Sequence, residues 1–168
     1  MPRAAETPAS TTSYQGVRTI PVGVMIASER QDDGWHSRVD GVVSGHRFQA
    51  ESPQRQCMRE GEGLRLDLWT GFRLHLRKRF VNDYALNIRN EAPSVYVVHR
   101  CPEPGAMEPF LVTVSMDEAQ KLDAPELRDP ADHVARAPMP PEVYRWVEEF
   151  VLDHYEPRKP KGKRRQES

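Results

Sequence analysis

Between positions 64 and 100, apolar and polar residues alternate through three successive segments in a single register. Leu64, Leu66 and Leu68, then Phe72, Leu74 and Leu76, then Tyr84, Leu86 and Ile88 all fall on even positions. Arg65, Trp69, Arg73, His75, Arg77 and Arg89 fall between them. A period of two marks strands, because successive side chains point to opposite faces of a sheet. The pattern predicts a sheet with one apolar and one cationic face. It constrains architecture and names no reaction.

Thr70-Gly71 and Asn82-Asp83 read as tight reversals, which makes the three segments an antiparallel meander. Upstream, residues 19–26 form an apolar run of strand length, and Asp32-Asp33-Gly34 signals a turn. A second strand follows over 35–43, with Trp35, Val39 and Val43 at odd positions. Residues 44–63 are polar, with Phe48, Cys57 and Met58 as anchors, and read as a loop with a short strand near 47–49. Residues 94–99 are apolar at consecutive positions, which predicts a strand buried on both faces. A Pro- and Gly-rich loop over 101–109 leads to a last strand over 110–114. Ser115 caps a short helix over 116–122, with Asp117 and Glu118 in its first turn. Residues 123–138 read mostly as loop. Pro140-Pro141 precede a helix over 142–155, on which Val143, Trp146, Val147, Phe150, Val151 and His154 form one apolar stripe.

At 168 residues the chain is sized for one domain with tails. Residues 1–18 hold little to bury and read as a disordered tail, 19–156 as the domain, and 157–168 as a basic disordered tail. The expected fold is α+β: a barrel-like or strongly curved antiparallel sheet of about six or seven strands, with the last helix on its apolar face. A pleckstrin-homology-like barrel is the analogue. The 24 Lys and Arg balance 25 Asp and Glu, so net charge selects no partner. Residues 1–15 lack an apolar run suited to a signal peptide or anchor, and no stretch elsewhere approaches a membrane span. Two cysteines make no disulfide framework. The expectation is a cytoplasmic protein with no membrane partner and reduced Cys57 and Cys101.

His99 and Cys101 are ligand types two residues apart, but His36, His46, His75, His133, His154 and Cys57 are scattered, so no metal site is expected. The chain carries no Gly-x-Ser-x-Gly elbow and no phosphate-cradling glycine loop. Asp32-Asp33 and Glu148-Glu149 read as a turn and a solvated helix face. No catalytic residue and no cofactor is expected. The better candidate is the odd-numbered face: Arg65, Trp69, Arg73, His75, Arg77 and Arg89. Arginines interleaved with aromatics suit an acidic protein partner or single-stranded nucleic acid. The tail residues Arg158, Lys159, Lys161, Lys163, Arg164 and Arg165 repeat the theme.

Several phrases occur in a familiar order. They are 20-IPVGV-24, Leu74-His75, 84-YALNI-88, 93-PSVYVVHR-100, 112-VTVS-115 with Glu118-Ala119, 138-PMP-140, and Val143 leading into 146-WVEEFV-151 and His154-Tyr155. In this order the chain resembles the bacterial family called domain of unknown function 3305, over residues 20–163. It departs from the family in a more polar 44–63 segment and in Cys101. The resemblance implies genes set beside those of molybdenum-dependent formate dehydrogenases, and some members are labelled molybdopterin guanine dinucleotide biosynthesis proteins. Three readings follow. The first is a non-catalytic accessory protein binding a formate dehydrogenase subunit or maturation factor. The second is a nucleic-acid-binding module using the cationic face and basic tail. The third is an enzyme of molybdopterin cofactor biosynthesis, which would need a glycine-rich nucleotide loop that is not seen.

Overall fold

The computed structural model describes residues 14–120 and 133–157. Seven strands and three α-helices are described, in the order β1 (Thr19–Gln31), β2 (Gly34–Ser44), β3 (Gln54–Gly61), β4 (Leu64–His75), α1 (Val81–Arg89), β5 (Ser94–Arg100), β6 (Glu108–Thr113), α2 (Met116–Gln120), β7 (His133–Pro138) and α3 (Pro141–His154). The strands form two antiparallel sheets, ordered β2-β1-β4-β3 and β6-β5-β7. The α+β expectation holds. The expected single barrel-like sheet is corrected to two sheets, with no closed barrel among the described residues, so the pleckstrin-homology-like analogue falls with it.

The meander is also corrected. Thr70-Gly71 does not reverse the chain: β4 runs through it unbroken. Along this strand Phe72 pairs with Val22, yet Trp69 pairs with Val24, so two β4 residues oppose Gly23 alone. That is a β-bulge, and Gly71 supplies the positive φ of 93° it requires. One extra residue switches parity. Cross-strand partners share a face. Ile20, Val22, Val24, Ile26 and Ser28 of β1 therefore lie beside Leu74, Phe72, Trp69, Asp67 and Arg65 of β4 respectively. Even positions point inward after the bulge and odd positions before it. Leu68 turns to the outer face, where Phe48 of a short 3-10 turn (His46–Phe48) packs near it over Gly23.

The third alternating segment is helix α1, not a strand. Val81, Tyr84, Ala85 and Ile88 are spaced three, one and three apart, which also fits a helical face, and all four contribute to the core. Leu86, on the far side, is 66 % exposed. The 44–63 segment holds the 3-10 turn where a short strand was expected. It also holds strand β3, every residue of which is exposed. Such an outer strand carries no apolar alternation to betray it. The expected loop over 123–138 is likewise corrected at its end, where β7 pairs with β5.

The expected strand over 94–99 is β5, the centre of the second sheet and buried on both faces. Val95 and Val97 enter the main core with the inward residues of β1 and β4, while Tyr96 and Val98 pack against Ala119 of α2. Val143, Trp146, Val147, Phe150 and Val151 of α3 also enter the main core. Burying each such side chain is worth about 1.5–3 kcal/mol, so this cluster carries most of the fold's driving force. Order begins earlier than Thr19. Tyr14 is buried against Trp146, its hydroxyl donates to Ser44 Oγ at 2.9 Å, and Trp146 Nε1 donates to the Val17 carbonyl at 2.6 Å. The remainder of the expected N-terminal tail, and residues 158–168 of the basic tail, lie outside the described residues.

Polar side chains hold the junctions. Asn87 donates to the carbonyls of Ser94 and Val114 and accepts from Ser94 N–H, tying α1 to β5 and the end of β6. Ser115 caps α2 as expected, accepting from Glu118 N–H at 3.0 Å. Its own hydroxyl donates to Asp83 on α1.

Candidate functional site

The parity switch that completes the core also builds a groove. Past Val24 and Trp69 the inner face of the first sheet turns polar. Ser28, Ser37, Arg65 and Asp67 follow one another across β1, β2 and β4. The loop between β5 and β6 covers this polar end. Ser28 Oγ lies 2.8 Å from Ser37 Oγ, and Ser37 Oγ donates to the Gly105 carbonyl at 2.8 Å. Gly105 has φ 82°, and a Cβ on it would come within 2.8 Å of the Trp35 carbonyl oxygen. The loop therefore seats against β2 at a distance only glycine allows.

Between sheet and loop lies a cavity of about 480 Å³. Trp35 and Trp69 supply its aromatic wall, β3 contributes Arg55 and Glu60 to its rim, the loop contributes Glu103 and Met107, and the first residue of β6 contributes Glu108. At its floor Arg65 Nε donates to Asp67 Oδ1 at 3.1 Å. The carboxylate raises the Arg65 pKa above its ordinary value, chiefly through that hydrogen bond. Asp67 is only 5 % exposed, and Arg65 meets its carboxylate at Oδ1. The Arg65 guanidinium offsets the cost of holding so little-exposed a carboxylate, because an unmet charge away from water is costly. Chemically the groove offers stacking surface, buried charge and hydroxyls for holding a ligand.

Two of the six residues expected on the cationic face, Arg65 and Trp69, line this groove. The other four stand elsewhere. Arg73 and His75 follow the bulge and so point to the outer face, opposite Pro21 and Thr19. His75 Nδ1 lies 3.2 Å from Thr19 Oγ1, and desolvation with the nearby Arg77 charge lowers its pKa. Arg77 pairs with Glu118 at 3.1 Å. Arg89 ends α1, with its guanidinium over the Tyr155 ring. No common cationic face exists among these six. The bulge separates Arg65 and Trp69 from Arg73 and His75, and the helix removes Arg89. The basic-tail residues Arg158 to Arg165 lie outside the described residues.

Trp35, Asp67 and the 102–108 loop were missed as site residues. The sequence signal for Trp35 was present, since it stands alone as a large aromatic beside a turn. Asp67 was hidden by its low-interest place between leucines. Of the metal candidates, His99 is buried with its ring 5.8 Å from that of His133, while Cys101 is exposed and donates to the Glu103 carbonyl. Among the described residues no three His, Cys, Asp or Glu side chains gather as metal ligands, and no helix is long and apolar enough to cross a membrane.

A family model described as a protein of unknown function, DUF3305, matches residues 21–165. Neither a curated protein nor a solved structure matches the chain.

Proposed function

Because the chain belongs to the DUF3305 family, we propose that it is a non-catalytic accessory protein that supports assembly, maturation or regulation of a molybdenum-dependent formate dehydrogenase. The family resemblance supplies the enzyme, through the gene neighbourhood it implies. The observation that carries a binding role is the groove itself: two tryptophans and a half-buried Arg65 paired with a buried Asp67, under a loop pinned by Ser37. Tryptophan and arginine dominate binding energy at interfaces, where they fill desolvated pockets. The setting is cytoplasmic.

The test has two arms. Tagged protein is captured from cells expressing the enzyme, and formate dehydrogenase activity is measured in a strain lacking this gene. Co-purification of a formate dehydrogenase subunit or maturation factor, with reduced activity in the deletion strain, is the expected result. Unchanged activity with no such partner contradicts the proposal.

A further inference from the structure

Four carboxylates, those of Glu60, Asp67, Glu103 and Glu108, meet two guanidiniums, those of Arg55 and Arg65, around one cavity. Arg65 is already engaged by Asp67 Oδ1. The cavity is thus acidic in balance and walled by two indoles. An indole face attracts a cation through its quadrupole, and desolvation strengthens the attraction. Asp67 adds a directed acceptor: its carboxylate is 5 % exposed, lines the cavity and stands beside Arg65, which donates to Oδ1. An acceptor of this kind suits a charged donor, and charge-assisted hydrogen bonds are the strong ones. Phosphate-bearing ligands are disfavoured by the same carboxylates.

The rim adds a second, independent feature. β3 is the outer strand of its sheet, pairs with β4 alone, and exposes all eight residues. Its other edge offers backbone donors and acceptors that no described strand meets. An extended peptide can add to such an edge, drawing affinity from main-chain hydrogen bonds and specificity from alternate side chains entering pockets. Arg55 and Glu60 of this strand line the cavity, so a side chain from an added strand enters beside them.

We propose that the groove receives an arginine or lysine side chain from an extended segment of a partner protein laid along β3. This rests on the recognition reading above and names the chemistry the partner must present. The charge balance makes the occupant cationic, and the open strand edge makes it a peptide.

The experiment titrates the full chain with a blocked peptide carrying a central arginine between valines, following tryptophan fluorescence. The matched citrulline peptide, spermidine and a single-stranded oligonucleotide are titrated beside it. The arginine peptide is expected to saturate, to weaken with added salt, and to bind at least about tenfold more tightly than the citrulline peptide. Trp35→Ala, Asp67→Asn and Glu103→Gln are each expected to weaken it several-fold. Glu103 stands on an exposed loop, so this variant keeps the test decisive if Asp67→Asn fails to fold. Equal binding of both peptides, or no saturable binding, overturns the proposal. Spermidine matching the peptide, or the oligonucleotide binding with the same sensitivity to both variants, overturns it as well. Failure here with a formate dehydrogenase subunit still co-purifying refutes this inference alone. Peptide binding with no effect on the enzyme refutes the accessory role alone.

Discussion

Gly71 sits at φ 93°, and a Cβ added there would overlap the Ser52 carbonyl and approach the Pro53 Cα to 3.0 Å. The positive φ alone costs a larger residue about 1–3 kcal/mol, and the overlap adds to it. Gly71→Ala is therefore expected to lower stability by at least about 2 kcal/mol, while Gly41→Ala, which meets nothing within 4 Å, stays near neutral. Urea denaturation of the two variants measures the contrast. Tyr84 makes a second residue-scale case. It is fully buried, and its hydroxyl accepts from Arg77 N–H while lying 3.4 Å from the His75 carbonyl. Burial pushes its pKa up to about 12, above the ordinary value of 10.0. The folded state then holds the phenol proton where the unfolded chain has released it. The associated stability is complete below pH 10 and is lost as pH rises from there toward about 12. A two-unit shift corresponds to about 2–3 kcal/mol. Denaturation midpoints are expected to fall steeply between these limits in the native chain and less so in Tyr84→Phe.

At the scale of elements, α1 exposes the ambiguity of short apolar patterns. Tyr84, Leu86 and Ile88 satisfy a strand, and Val81, Tyr84, Ala85 and Ile88 satisfy a helix. Tertiary packing decided between them, since the helical face fits against α3 through Tyr84 and Phe150, whose ring centroids are 5.9 Å apart. Leu86→Lys is expected to change stability by no more than about 0.5 kcal/mol, whereas Ala85→Lys, a pair of positions a strand would treat the opposite way, is expected to unfold the protein. Thermal melts distinguish the outcomes. β1, β5 and α3 were legible because their apolar residues repeat with an unambiguous period over a long enough run. β3 was not, because a fully exposed outer strand buries nothing that periodicity can register. The turn-like Thr70-Gly71 was misread for a local reason: glycine at positive φ serves a reversal and a bulge equally well.

For the whole molecule, that single bulge decides where the candidate groove sits. Without it Arg65, Trp69, Arg73 and His75 would share one open surface, as the alternation alone suggests. With it, Arg65, Asp67 and Trp69 are folded toward the interior and covered by the 102–108 loop, while Arg73 and His75 face outward at the far end of β4. The site was therefore only half legible. Its aromatic and cationic residues were visible, but their grouping depended on one inserted residue and on a loop brought near by the second sheet. Capture of a formate dehydrogenase subunit or maturation factor by three forms of the chain (native, Trp35→Ala and Arg73→Ala) tests this account most directly. We expect native and Arg73→Ala chains to retain the partner alike, and Trp35→Ala to lose at least about tenfold in affinity. Loss of the partner in Arg73→Ala with full retention in Trp35→Ala would contradict it.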